Sequence, residues 1–81
     1  MLSFPFRLAD RIRSDGSNDL EVVRQLDVAM QAADGRAPAE VPRAQDAVLD
    51  ELRGWQADRG LVPDGEARPG GPTEARLNAA A

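Results

Sequence analysis

The stretch Trp55–Leu77, WQADRGLVPDGEARPGGPTEARL, closes one helix, turns twice and opens another. Gly60 falls where a helix end calls for a left-handed residue at C′, a backbone region glycine enters without steric cost. Leu61 then stands at C″, placed to fold back on Trp55 about one turn earlier. Pro63 forbids resumption, because proline lacks the amide and its ring clashes with the preceding turn. Asp64-Gly65 predicts a tight turn whose aspartate bonds the backbone two residues on. Gly71-Pro72 sets up a new N-terminus with proline at N1, and Thr73 and Glu74 fall in its first turn, where an acid suits the helix dipole. The rest of the chain is expected to pack against this corner.

Upstream, the helix that ends at the corner is expected to run from near Pro42 or Arg43 to Arg59, with Val48, Leu49, Leu52 and Trp55 on one face. Gly54 weakens it by up to ~1 kcal/mol relative to alanine, and suggests close approach of another element. Indole faces stack on sugars, but the place of Trp55 on the apolar stripe assigns it to the core. Before it, DGRAPAEVPRA is too polar and too broken by proline to be regular structure. The first helix is predicted from the capping-box spacing of Asn18 and Glu21. It carries a stripe of Leu20, Val23, Leu26, Met30 and Ala33, with Glu21, Arg24 and Asp27 on another side, and Gly35 ends it. The third helix, from Gly71-Pro72 to the terminal alanines, is short and anchored by Leu77. No internal repeat is evident. Residues 1–17 read as an N-terminal arm. Leu2, Phe4 and Phe6 alternate around Pro5 in a pattern that suits an extended segment, Leu8 follows, and S-D-G-S makes a turn. Two readings of the arm stand open: it wraps its own domain, or Phe4, Phe6 and Leu8 dock onto a neighbouring subunit.

An 81-residue chain makes one domain at most, and buries a small fraction of its surface. Alanine supplies much of the 42% hydrophobic content and aromatics only 4%, so the core rests on a few Leu, Val and Trp side chains. Without cysteine or histidine, neither a disulfide nor a common metal site completes it, which leaves a partner surface as the plausible stabiliser. The net charge of −4 argues against nucleic acid and against anionic membranes, since both need a cationic face. No stretch approaches the roughly 20 apolar residues of a membrane span. The start MLSFPFRLADRIR lacks an apolar signal region, so synthesis in the cytoplasm without a signal peptide is expected.

Catalysis is not expected. There is no histidine or cysteine, no serine in a nucleophile context, and no buried carboxylate pair of the kind acid–base work needs. DGSND lacks the spacing and the terminal glutamate of a calcium loop, so no metal and no cofactor are expected. PGGPT offers helix N-terminal amides to an anion, but Pro72 removes one donor and a plain cap is the simpler reading.

The order W-Q, G-L, D-G, then G-P-T opening a last helix resembles the second half of the small helical peptidoglycan-binding domain of wall hydrolases and phage proteins. Trp55-Gln56, Gly60-Leu61, Asp64-Gly65 and Thr73 carry the resemblance, which covers about Asp46 to Asn78 and is weaker over Asn18 to Ala33. The loop between Asp-Gly and the threonine is longer than in the commonest form, and tryptophan stands where phenylalanine is usual. The resemblance implies an all-α fold, a compact three-helix bundle over residues 18–81 with the extended arm before it. It implies peptidoglycan as ligand, with stem-peptide carboxylates received by Arg59, Arg68 or the helix amides, and Asp64, Gly65 and Thr73 shaping the edge of the site. The expected role is a non-catalytic module serving as a structural component of a phage or phage-like particle, with capsid or tail proteins as partners and the virion as location. The alternative is a free-standing wall-binding protein.

Overall fold

Three helices form among the residues described by the computed structural model, 7–37 and 43–80: α1 Leu20–Ala33, α2 Gln45–Asp58 and α3 Pro72–Ala80. The all-α, three-helix expectation holds. α1 packs against both other helices, whereas α2 and α3 hardly touch and are joined by the connector between them.

Helices α1 and α2 stop by the same device. Gly35 and Gly60 both take φ of +73°. Arg36 N donates to Gln31 O at 2.8 Å and Gly35 N to Ala32 O at 3.0 Å; Leu61 N donates to Gln56 O at 2.9 Å and Gly60 N to Ala57 O at 3.2 Å. Each pair of bonds is a Schellman motif, which satisfies carbonyls that a helix end leaves open. Leu61 packs against the core cluster that includes Trp55, as its C″ position predicts.

The core is Val22, Val23, Leu26, Ala29 and Met30 from α1, Val48, Leu49, Leu52 and Trp55 from α2, Leu77 from α3, and Leu8, Ile12 and Ala67 from the flanking segments. Leu26, Met30, Leu52 and Leu77 are fully buried, each contributing roughly 1.5–3 kcal/mol relative to exposure.

Several expectations need correction. The α1 cap is Asp19, whose Oδ1 accepts from Glu21 N at 2.9 Å. Asn18 is drawn elsewhere: its side chain bonds the backbone of Arg13 in both directions, at 2.6 and 2.8 Å, and donates to Gln45 Oε1 at 2.7 Å. Leu20, placed on the apolar stripe by spacing, is 69% exposed. It lies on the first turn of α1, where a groove of about 270 Å³ separates it from Ala44 and Gln45 at the start of α2. Asp27, assigned to the solvated side, is buried. Helix α2 starts later than Pro42 or Arg43 and has no side-chain cap bond. Gly54 is exposed, and an added Cβ there would meet nothing within 4 Å, so no element approaches it.

The described part of the arm wraps its own domain. Ile12 and Ala67 form an antiparallel bridge, Ile12 N to Ala67 O at 2.6 Å and Ala67 N to Ile12 O at 3.1 Å. Leu8 is buried in the same core, so it is not presented to a neighbouring chain. Phe4 and Phe6, its companions in that expectation, lie outside the described residues.

Candidate functional site

Gln56, in the last turn of α2, is buried, where an amide without partners would cost several kcal/mol. Its side chain instead ties the following connector together. Nε2 donates to Glu66 O at 2.9 Å and Thr73 Oγ1 at 3.0 Å, with Asp64 Oδ1 a longer third acceptor at 3.3 Å. Oε1 accepts from Gly65 N at 3.1 Å. The opposite amide orientation would set an oxygen against Glu66 O and the Asp64 carboxylate, and an NH2 against the Gly65 N–H, so the surroundings fix this one.

Around this hub the Asp-Gly turn forms as its sequence predicts. Asp64 Oδ1 accepts from Glu66 N at 3.0 Å, two residues on. Gly65 takes φ of +69°, a backbone region that favours glycine, and the flexible Arg53 side chain lies over it. At the start of α3, Glu74 is buried, accepting from Gly70 N at 3.2 Å and from Leu8 N at 2.9 Å. An acidic side chain in the first turn also suits the dipole of this helix start.

A cleft of about 330 Å³ opens beside the hub. Its walls include Leu61, Val62, Asp64, Glu66, Arg68, Pro72 and Thr73, and its volume lies at the lower end of the range for small-ligand sites. Three of the sequence-predicted residues, Asp64, Arg68 and Thr73, thus share one cleft. Thr73 is buried with its hydroxyl engaged by Gln56, so it shapes the wall more than it presents a group, whereas Gly65 is buried in the turn and does not line the cleft. Arg68 differs: it is exposed, and its guanidinium makes no hydrogen bond or ion pair with another described residue. Its aliphatic stem lies against Gly71, where a Cβ would come 2.6 Å from Arg68 Cγ and 3.1 Å from Arg68 O.

Arg59 is not part of this cleft. Its guanidinium lies over the Trp55 ring, 4.1 Å from the centroid, and Nη2 pairs with Asp34 Oδ1 at 2.8 Å. These residues belong to a shallow hollow of about 450 Å³ that also includes Arg36, Glu51 and Asp58. The two arginines thus line different hollows. Trp55 itself is a core residue, 4% exposed.

The hollow adjoins an ionic cluster that spacing alone did not reveal. Arg43 donates to Asp27 through Nε at 3.2 Å and through a short Nη2 bond, and to Glu51 through Nη2 at 3.0 Å. Gln31 Nε2 donates to Glu51 Oε2 at 2.9 Å and Asp27 Oδ1 at 3.3 Å. Burial pushes the Asp27 carboxyl up, but hydrogen bonds from Arg43 and Gln31 and the charges of Arg43 and Arg24 outweigh it and hold it below the usual carboxylate range. The Arg43 guanidinium is correspondingly held more firmly protonated, by its hydrogen bonds to Asp27 and Glu51.

Sequence reasoning passed over Gln56 as a site residue and missed Leu61, Val62 and Glu66. The available signal was a glutamine beside the tryptophan at the end of an apolar stripe, where a polar residue demands partners. Among the described residues no group of three or more His, Cys, Asp or Glu is arranged to hold a metal ion, and no helix is long and apolar enough to cross a membrane. No protein-family model, no curated protein and no solved structure matches the chain.

Proposed function

We propose that the protein is a non-catalytic binding module of the peptidoglycan-binding type, with the cleft beside Gln56 receiving a stem peptide of the wall. One observation carries this reading: four of the seven residues that give the chain its resemblance to that family, Gln56, Asp64, Gly65 and Thr73, form one hydrogen-bonded knot beside a cleft. Arg68 stands at that cleft with its charge unpaired among the described residues, suited to a ligand carboxylate. The proposed settings are a phage or phage-like particle and, as the alternative, a free-standing wall-binding protein. Burial of Leu8 inside its own domain favours the free-standing setting, because it removes one of the three arm residues offered to a particle neighbour.

Co-sedimentation with insoluble peptidoglycan tests the reading. The wild-type protein and Arg59→Ala bind saturably, and Arg68→Ala loses most of its binding while keeping its circular dichroism spectrum. A folded wild-type protein left in the supernatant overturns the proposal.

A further inference from the structure

Asp64 and Arg68 share the cleft without meeting, and Glu66, the other carboxylate on its wall, pairs with Arg11 at 3.8 Å. Asp64 is held by its own turn, engaged through Oδ1 by Gln56 Nε2 and Glu66 N, and its carboxylate forms no ion pair with a described residue. Arg68 O accepts from Gly71 N at 2.9 Å, and the aliphatic stem of Arg68 passes over Gly71. The chain carries 14 acidic groups against 10 basic ones, yet among the described residues Arg68 pairs with no carboxylate while lining the same cleft as Asp64. The apolar part of the wall between them includes Leu61, half-buried, Val62, 73% exposed, and Pro72.

Resting on the binding-module reading above, we infer that the cleft selects a dipolar peptide end, one that bears both a free carboxylate and a primary ammonium. The Arg68 guanidinium takes the carboxylate, for which its planar fork is suited, and Asp64 takes the ammonium. The aliphatic part of the ligand lies on Val62 and Leu61. A ligand with only one of the two charges leaves the other side chain without its partner, and is held more weakly.

The test modifies the wall and not only the protein. Insoluble peptidoglycan is prepared in three forms: native, with its free amines acetylated, and with its free carboxyls converted to amides. Binding is measured for wild type, Asp64→Asn and Arg68→Ala; asparagine keeps the Oδ1 acceptor that the turn uses. Each wall modification weakens wild-type binding about tenfold, the size of one charge-assisted hydrogen bond. Acetylation makes no further difference to Asp64→Asn, and amidation none to Arg68→Ala. If native wall is bound and both modified walls are bound equally well by the wild type, the dipolar selection is wrong while the binding-module reading stands. If folded wild-type protein binds no native wall, that reading fails and the selection fails with it.

Discussion

The chain leaves α1 and α2 by nearly the same sequence, Met30-Gln31-Ala32 before Gly35 and Trp55-Gln56-Ala57 before Gly60, and builds opposite kinds of corner. In both, a large core side chain precedes a buried glutamine whose carbonyl closes a Schellman motif. Gln31 meets the carboxylates Asp27 and Glu51, which require Arg43, and Arg59 and Arg36 pair with Asp34 nearby. Gln56 meets a backbone amide, a backbone carbonyl and a hydroxyl, with the Asp64 carboxylate only as its longest partner. The ionic corner thus engages its cations internally, whereas the nearly neutral one leaves Arg68 and Asp64 beside an open cleft. The candidate site lies where a neutral side chain does the structural tying and the charges remain available.

The largest effect expected from this comparison is on Gln56. Gln56→Ala strands the buried Gly65 amide and removes the bonds that tie α2 to the connector and to Thr73 of α3, a loss of about 4 kcal/mol. Gln31→Ala costs about 1 kcal/mol, because Arg43 still covers both carboxylates. Urea denaturation midpoints measure both, and equal losses would erase the distinction between the corners.

Next in size is Arg43→Met, which leaves Asp27 buried without its main cation and costs about 3 kcal/mol. Adding Asp27→Leu restores most of that loss, since replacing a buried pair by apolar groups is often neutral. If the double variant is no more stable than the single one, the cost came from lost packing of the arginine stem.

A gentler probe is pH. The folded Asp27 carboxyl titrates below its unfolded value of about 3.9, so its contribution is complete above that value and is lost as the pH falls through the folded one. Unfolding midpoints stay level from about pH 7 to 5 and drop below about 4. The drop is shallower in Arg43→Met; an unchanged slope would mean that other carboxylates dominate acid unfolding.

The smallest change is a gain. Gly54 is exposed on α2 with open space where a Cβ would go, so Gly54→Ala raises stability by about 0.5–1 kcal/mol in thermal unfolding. A loss there would show that the hollow beside Trp55 has a use for the glycine.

What was legible in the sequence was local. The stop at Gly60, the Asp64 turn and the start of α3 at Pro72 depend on backbone rules acting over a few residues, and each forms as read. Periodicity likewise found Val48, Leu49, Leu52 and Trp55. It failed for Asp27, because a helical stripe assigns charge to solvent unless a distant arginine arrives to cover it. Arg59 was misplaced for a related reason: its nearness in sequence to the cleft says nothing of Trp55 and Asp34, which draw it to the other corner. Asn18 matched a capping spacing, yet Arg13 and Gln45 compete for its side chain and Asp19 caps instead. Ile12 gave no signal, since the single bridge to Ala67 joins segments far apart in sequence.

The claim that the Gln56 corner, and not the Trp55–Arg59 hollow, receives the ligand is tested most directly by titrating isotopically labelled protein with soluble stem-peptide fragments of peptidoglycan and following proton–nitrogen correlation spectra. The account predicts saturable shifts at Leu61, Val62, Asp64, Thr73 and the Gln56 side-chain amide, with the Trp55 indole signal unmoved. Shifts confined to Trp55, Asp34 and Arg59, or no shifts at all, would contradict it.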